Sequence, residues 1–592
     1  MSWGLGKLPG VAVARTYRRE WLRPDLTAGL ALTALLVPAG MGYATAAGLP
    51  AYAGLYATIV PLLVYALLGP SKVLVLGPDS ALAPLIAAAV LPLAATGDPQ
   101  EALALAGVLA LLVGVILVAA GFLRLGFVTE LLSKPIRLGY LNGIALVVVV
   151  GQLPTLFGFA IDEPGLPQDL AAIVRAVAAG DVDPVATAVG VTSLVVIVAF
   201  RLLRARIPGV LVAVAGACGV SALLGLTERI AMVGALPSGL PAPSVAAVSW
   251  ADVLALLGPA AGIALIAFAD TGVLSRTFAA RRGDDVDGST EMKAIGAANV
   301  ATGLFGGFPI SASSSRTPVA EQNGARTQLV GVVGAVAVLL FVLLAPGVTA
   351  YLPEATLAAV VLVAASALID VRGVVRMWRM SRIEAGLAAA AFLGVALVGV
   401  LEGILVAIGL SFVAVVGHAW SPYRTELVEL TRVAGFHDIN RHPEGHRIPG
   451  LLLVRFDAPL FFANGSIFDD YVRSLVAQSP EPVEWVVIAA EPITGLDTTA
   501  VDELVDLDRY LAGRKIRLAF AAMKGPIKDR LVQFGVGDRF TPDRFYPTVR
   551  TAVVAFRHRA SSPSPEPAPR GNPDHTAGRV SKSLPRKRNR RR

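Results

Sequence analysis

Three ionisable side chains stand inside apolar sequence, and their types suit the binding of an anion together with a cation. Asp270 lies deep in LGPAAGIALIAFADTGVLSRTF. A carboxylate at the centre of a membrane helix costs about 2.5–3.5 kcal/mol on insertion scales, so such a position marks function by default. The plainer role is a hydrogen bond to a Ser or Thr of a neighbouring helix. Arg316 follows Ser311, Ser313, Ser314 and Ser315 in GGFPISASSSRTP. Hydroxyls cap helix starts, but four of them ahead of an arginine exceed what a cap needs and suit anion coordination. Asp79 and Ser80 follow Gly77-Pro78 in SKVLVLGPDSALAP. They either cap a helix or set a protonatable group beside the anion. Tyr43, in VPAGMGYATAAG, either packs a core or walls the site.

The elements that must hold these residues are membrane spans. The chain has 592 residues, 55% hydrophobic and 16% charged, where soluble domains carry about 25% charged residues. Apolar runs recur from Leu26 to His418, and a run of about 20 residues crosses a bilayer core of roughly 30 Å. Spans are predicted at 27–46, 52–70, 78–94, 101–123, 136–157, 184–203, 208–226, 251–277, 289–306, 314–324, 327–346, 354–370, 383–400 and 402–419. The third and tenth are too short or too broken to cross alone. Residues 71–84 read as an extended VLVL piece, a Gly-Pro halt and a helix; residues 306–318 read as a Gly/Pro break, a short extended piece and a helix start. These segments stand seven apart in order, so corresponding elements of the two halves enter the membrane from opposite sides. Paired interrupted segments point to a transporter's binding site. A half-helix that starts at mid-depth turns unpaired N–H groups and a positive dipole end toward an anion. Non-helical backbone survives at that depth only inside protein or beside a water-filled cavity.

Charge sets the topology. Basic residues cluster at Arg15–Arg23, Lys72, Arg124–Arg137, Arg201–Arg206, Arg276–Arg282, Arg326 and Arg372–Arg382. The connections between hold Asp98 with Glu101, Asp162–Asp183 and Glu354, and Arg175 and Arg229 interrupt the alternation. The positive-inside rule then puts both termini in the cytoplasm with an even number of spans. The formal net charge of +8 comes almost wholly from the tail. Residues 561–592 hold nine Lys/Arg against Glu566 and Asp574 and end in PRKRNRRR. That reads as a disordered arm for the anionic inner leaflet or a solubilising tail, not as a nucleic-acid surface.

Other classes find little support. Cys218 is the single cysteine and lies in an apolar run, which excludes disulfides and Cys-based metal sites. No cleavable signal peptide stands out, because the chain is basic and polar through Arg23. His437, His442 and His446 in HDINRHPEGH lack a second ligand pair, so a solvated loop fits better than a metal site. No nucleophile–base set or cofactor motif supports an enzyme. No histidine precedes His418, so a proton relay in the membrane part would use carboxylates. After the last span the texture changes. LLLVRF, WVVIAA and IRLAFAAM read as short apolar strands, and DTTAVDELVDLDRYLAG as an amphipathic helix. That alternation makes an α/β domain.

On these residues the chain resembles the sulfate permease (SulP) family of anion transporters. The resemblance runs from about Arg19 to Phe556 and is carried by two motifs. One is DLTAGLALTALLVPAGMGYATAAGLPAYAGLYATIVPLLVYALLGPSKVLVLGP; the other is FPISASSSRTPVAEQNGARTQL. The likeness is greatest to actinobacterial members regarded as sulfate transporters. It implies an all-α polytopic domain of seven-plus-seven inverted repeats in a uracil-permease-like fold, with core and gate parts. It further implies an anion held between the third and tenth half-helices, and a homodimer. Carried over by position, Tyr43, Asp79, Ser80, Ser313, Ser314, Ser315 and Arg316 would line the anion site, with Asp270 for the coupling ion. Two positions depart from the family pattern. The usual Pro-Gln of the first span is Pro38-Ala39 here, and sodium-coupled bicarbonate members carry a hydroxyl where this chain has Leu274. The second departure favours protons over sodium. Residues 425–558 resemble a STAS domain, and in related anti-sigma antagonists a hydroxyl beside the Asp497-Thr498-Thr499 turn is phosphorylated. Helix capping is the simpler role for that turn.

The expected organisation is therefore a cytoplasmic N-terminus over 1–24, a transport domain over 25–420, a STAS domain over 425–558 and a basic tail over 559–592. The expected function is proton-coupled sulfate uptake across a bacterial inner membrane. Sodium-coupled bicarbonate carriage and chloride or anion exchange are the alternatives within the class. A membrane-anchored STAS regulator is the alternative outside it, and an anchor has no use for broken helices, Asp270 or Arg316.

Overall fold

In a computed structural model the described residues are 9–95, 98–126, 134–161, 165–203, 207–237, 239, 243, 248–420, 422–431 and 433–561. Arg204, Arg206, Asp162, Glu163 and the basic tail beyond Ser561, all used above for topology, lie outside them. The chain forms two compact units, Met1–Ala414 and Val415–Arg592.

The first unit is helical except for one small ribbon. A short α1 (Pro9–Arg15) precedes α2 (Leu22–Ala46) and α3 (Ala51–Leu68). The extended β1 (Leu76–Gly77) then leads into the short α4 (Ala83–Val90). There follow α5 (Pro99–Phe122), α6 (Lys134–Phe157), the amphipathic α7 (Leu166–Ala179), α8 (Pro184–Leu202) and α9 (Gly209–Leu224). The second half begins with α10 (Trp250–Arg282) and α11 (Gly288–Leu304), then β2 (Ser311–Ala312) and the short α12 (Arg316–Gln322). It closes with α13 (Leu329–Leu344), α14 (Glu354–Ser366), α15 (Val371–Met380), α16 (Arg382–Leu393) and α17 (Val400–Trp420). Each predicted span has a helix at its place. Among the described residues seven helices, counting adjoining turns, are long and apolar enough to cross a membrane unaided.

Differences fall at the breaks and the connections. The third segment is helical only from Ala83, with a turn over 80–82, where the sequence suggested a start at 78. The tenth is helical over Arg316–Gln322 rather than 314–324. The polar-flanked α7 and α15 were not expected as helices, because neither is apolar enough to read as a span. In α15, Arg372, Arg376 and Arg379 alternate with exposed Val371, Val374, Val375 and Trp378, the composition of a helix lying at a membrane surface.

Packing within this unit depends on small residues, since lipid-facing helices gain no hydrophobic drive toward each other. Gly107, Gly114 and Gly121 on α5 face the backbone of α11 around Gly303, Gly296 and Ser289. A Cβ on Gly296 would stand 2.8 Å from the Gly114 carbonyl oxygen, so these two helices touch backbone to backbone.

The second unit is the anticipated α/β domain. Its sheet runs β4-β3-β5-β6-β7-β8, from β3 (Arg424–Glu429), β4 (Phe436–Asp438), β5 (Leu451–Phe456), β6 (Trp485–Ala489), β7 (Arg517–Ala521) and β8 (Phe545–Tyr546). β5 through β8 are parallel and β3 is antiparallel to both neighbours. Of these, β5, β6 and β7 read as apolar runs because helices cover them. These helices are α18 (Gly465–Gln478), α19 (Thr498–Gly513), α20 (Gly525–Gln533) and α21 (Val549–Ser561). β3, β4 and β8 lack a continuous apolar run and were not legible in advance.

The Asp497 turn does what a cap does. Its carboxylate accepts from Ala500 N at 2.8 Å and from Phe462 N at 2.8 Å, while Thr498 and Thr499 are exposed in the first turn. Asp497→Ala should therefore destabilise this unit by about 1–2 kcal/mol, because it removes a cap and leaves a second N–H unpaired. Thermal unfolding of the full-length protein checks this, and an unchanged midpoint would contradict the capping role.

Candidate functional site

The site grows from the two broken segments meeting. β1 and β2 pair antiparallel, with Leu76 opposite Ala312 and Gly77 opposite Ser311. Two residues a side cannot satisfy the flanking backbone, so side chains from four surrounding segments complete it. Thr317 Oγ1 accepts from Val75 N at 3.1 Å, and Ser313 N donates to the Val75 carbonyl at 2.9 Å. Thr271 Oγ1 on α10 accepts from Ala312 N at 3.1 Å and donates to the Ala267 carbonyl at 2.6 Å. Asn299 on α11 receives Ile310 N at 2.9 Å and returns a bond to the Ile310 carbonyl at 3.1 Å. Gln328 Nε2 donates to the carbonyls of Ser71 and Leu74 at 2.8 and 2.9 Å.

This ribbon holds Arg316. The residue is 1% exposed, and it is the largest fully buried side chain among the described residues. Its Nη2 donates to the Pro78 carbonyl oxygen, and its backbone N donates to Ser313 Oγ at 3.2 Å. Nε and Nη1 are buried with no hydrogen-bond partner. Gly77, at φ +147°, lets the guanidinium approach: a Cβ there would stand 3.0 Å from Nη1. Both the positive φ and the contact demand glycine.

Around this guanidinium the structure gathers most of the residues singled out above. Tyr43 on α2 is buried and interacts with Asp79, Arg316, Ser80 and Ser315. Asp79 is buried, accepts from Ala81 N at 3.1 Å, and feels the charge of Arg316 without a direct ion pair among the described residues. Ser313 is buried with Oγ 3.2 Å from Ser315 Oγ, whereas Ser314 and Ser315 are exposed on the turn before α12. Asp270 is half-buried on α10 and interacts with Asp79 and Arg137, not with Arg316. So Asp79 is the carboxylate nearest in effect to the guanidinium, and Asp270 lies one step removed. His437 and His442 belong to the second unit, where their rings meet edge to face.

Several residues were missed. Tyr140 on α6 is fully buried with an unpartnered hydroxyl and interacts with Asp270, Arg137 and Asp79. Ser311, one of the serines named above, likewise has its Oγ buried without a partner. Glu291 on α11 is a further buried carboxylate, bonded to the Tyr65 hydroxyl at 2.5 Å and to Ser275 Oγ at 2.6 Å. A tyrosine in an apolar span reads as packing, and Glu291 sits near a helix start where acids are ordinary. Neither carried a signal.

Residues 22–391 match the model of the sulfate permease family, and residues 442–552 match the STAS domain. A probable sulfate transporter of Mycobacterium tuberculosis is 41% identical, over 94% of this chain and 99% of its own length. The chain belongs to the sulfate permease family. It is thus a membrane transporter and not an enzyme. Sulfate transporter 1.3 of Arabidopsis thaliana is 28% identical over 92% of this chain and 86% of its own. Among solved structures, murine solute carrier 26 family member A9, an anion transporter in the inward-facing state, is similar with a TM-score of 0.87. The similarity covers 94% of this chain and 96% of that one at 22% identity, a likeness of fold. The transmembrane domain of a cyanobacterial bicarbonate transporter matches more loosely, with a TM-score of 0.58 at 24% identity, over 67% of this chain and 98% of that one.

Gly77→Ala should displace the Arg316 guanidinium, because the added methyl meets Nη1 and the backbone angle disfavours any side chain. We expect anion affinity to fall while the helices stay formed. Sulfate-dependent thermal shift of the purified variant measures this, and a wild-type shift would show that Gly77 does not set the guanidinium.

Proposed function

We propose that this family member takes up sulfate with protons, binding the anion at Arg316. The observation that carries the reading is the buried guanidinium with two nitrogens unpaired, ringed by the hydroxyls of Tyr43, Ser80, Ser313 and Ser315. A buried charge without a partner is costly, and an oxyanion would supply acceptors to donors arranged in a fixed fork. The mycobacterial relatives named as probable sulfate transporters, similar along almost the whole chain, support sulfate as the cargo. Asp79 beside Arg316 tempers the local positive charge, so that anion affinity depends on its protonation state.

Coupling follows from the charge of the cargo. Bringing in a doubly charged anion against a negative-inside potential costs about 2.3 kcal/mol per charge per 100 mV. Cotransported cations must offset that. Asp270 is the proposed proton carrier: it is half-buried, has no hydrogen-bond partner among the described residues, and lies within electrostatic reach of Asp79. Two features weigh against sodium. Leu274 offers no oxygen, and the hydroxyl of Thr271, next to Asp270, is already bonded on both its donor and acceptor sides. The same reading puts both termini in the cytoplasm of a bacterial cell, by the placement of basic residues, and pairs two chains as a homodimer, by resemblance to the family.

Arg316→Ala should weaken sulfate binding at least tenfold, a loss of about 1.4 kcal/mol or more, in a protein that still purifies folded. Sulfate titration settles it, and unchanged affinity would remove Arg316 from the site.

For coupling, Asp270→Asn should abolish accumulation driven by an inward proton gradient in proteoliposomes yet leave sulfate exchange intact. Asp79→Asn should mainly alter affinity. Uptake that follows a sodium gradient at fixed pH, with no response to a proton gradient, would refute the mechanism.

A further inference from the structure

Outside the group around Arg316, two cavities of about 490 and 430 Å³ adjoin and share Val13, Lys72 and Thr327. The larger is cationic. Lys72, Arg281, Arg282 and Arg326 line it, against one carboxylate, Asp284. Lys72 is paired with Asp284 at 2.6 Å, and Arg281 with Glu321 at 3.2 Å. Asp25, a further acid nearby, is fully buried and already accepts from Arg326 N, Thr327 N, Thr327 Oγ1 and the Tyr17 hydroxyl. Two cations are left over. Arg282 gives one N–H to the Ala325 carbonyl and feels the carboxylates of Glu321, Asp284 and Asp25, while the exposed Arg326 side chain, which repels it, makes no bond among the described residues. Four cations thus face three carboxylates, each of which already has a partner, and the Arg326 guanidinium keeps its donors for an anion.

The smaller cavity is apolar. α1 packs across the end of α3 and the start of α13, and Val13, Ala14, Ala66, Leu67, Leu329 and Val332 line the groove between them. Leu67 is 56% exposed, so the groove opens outward from an apolar helix surface. A basic chamber that continues into an apolar groove matches a molecule with a phosphate at one end and a hydrocarbon chain at the other. The chain's own C-terminal tail is basic and would be repelled. The lining cations belong to the clusters that the positive-inside rule assigns to the cytoplasm.

We propose that this pair of cavities binds an anionic phospholipid of the inner leaflet, with its phosphate between Arg282 and Arg326 and an acyl chain in the α1–α3–α13 groove. Basic pockets at the cytoplasmic ends of spans recognise such headgroups, and charge-assisted bonds to guanidinium groups fix the phosphate. The occupied site would tie α1 to the last turn of α10 and to the connection that starts α13.

The test uses the full-length protein in detergent, titrated with phosphatidylglycerol, phosphatidylcholine, glycerol-1-phosphate or inorganic phosphate. Phosphatidylglycerol should raise the unfolding temperature, and the other three should not. Arg326→Gln removes an exposed guanidinium and should weaken the apparent lipid affinity about tenfold. Ala14→Trp fills the groove from an exposed position and should weaken it comparably, while Arg326→Lys should retain most of it. Native mass spectrometry of the wild type, read as retained phosphatidylglycerol, gives a second measurement should a variant fold poorly. An equal shift with phosphatidylcholine would overturn the headgroup assignment. An equal shift with either free phosphate would make this a small-anion site, and full lipid response in both Arg326→Gln and Ala14→Trp would place the lipid elsewhere.

Discussion

The structure of the transport unit turns on one constraint: a polypeptide that stops being helical inside a membrane must find another partner for every N–H and C=O it frees. Here the chain stops twice, at β1 and at β2, and the two interruptions solve most of the problem by pairing with each other. What remains is met by Thr317, Thr271, Asn299 and Gln328, each a polar side chain on an otherwise apolar segment. Each of these four spends at least one polar atom on freed backbone. Their role is to make a stable break, and the break is what gives the site its position.

Arg316 is a consequence of that break. An arginine at the start of α12 projects back across β1 because Gly77 leaves room and Pro78, standing before the first turn of its helix, offers its carbonyl as an acceptor. One guanidinium nitrogen is spent on holding the side chain still, and two are left over. Rigid positioning with residual donors is what a preorganised binding group requires, since little conformational entropy is then lost when a ligand arrives. The hydroxyls of Tyr43 and Ser80 come from the first half of the chain, and those of Ser313 and Ser315 from the second.

Much of this was legible in the sequence for a physical reason. Gly-Pro in an apolar run cannot be a continuous helix, so the two breaks and their extended lead-ins could be placed within a few residues. Lone ionisable groups in apolar runs are conspicuous, which is why Asp79, Asp270 and Arg316 stood out. Pairing was not legible: nothing in VLVL or ISAS states that Leu76 lies opposite Ala312. Nor was the division of labour among the polar residues. Ser311, Ser313, Ser314 and Ser315 look alike in sequence, yet one is buried and unpartnered, one is bonded to the Arg316 backbone and two are exposed. Tyr140 and Glu291 stayed hidden because their types are ordinary where they occur. In the second unit β5, β6 and β7 announced themselves as apolar runs, and the edge strands β4 and β8 did not, because an edge has only one neighbour and tolerates charge. β3 has two neighbours, but its RTELVE lacks a continuous apolar run.

The distribution of charge around Asp270 bears on how two ions could be linked. Asp79 belongs to the segment beside Arg316 and senses that guanidinium directly, while Asp270 senses Asp79. Arg137 and Tyr140 reach the same carboxylate from α6, a helix that packs chiefly against α14 and α16 rather than against α10. Asp270 thus stands where two groups of helices meet, one carrying the ribbon and one carrying α6. Any motion of one group past the other would change the charges that Asp270 faces without changing its own helix. Differential interaction of this kind is the only means by which a conformational change can favour or release a proton. Since Asp79 faces Arg316 and Asp270 senses Asp79, a bound anion and a bound proton would each alter the free energy of the other through that one carboxylate, and by the same amount in both directions.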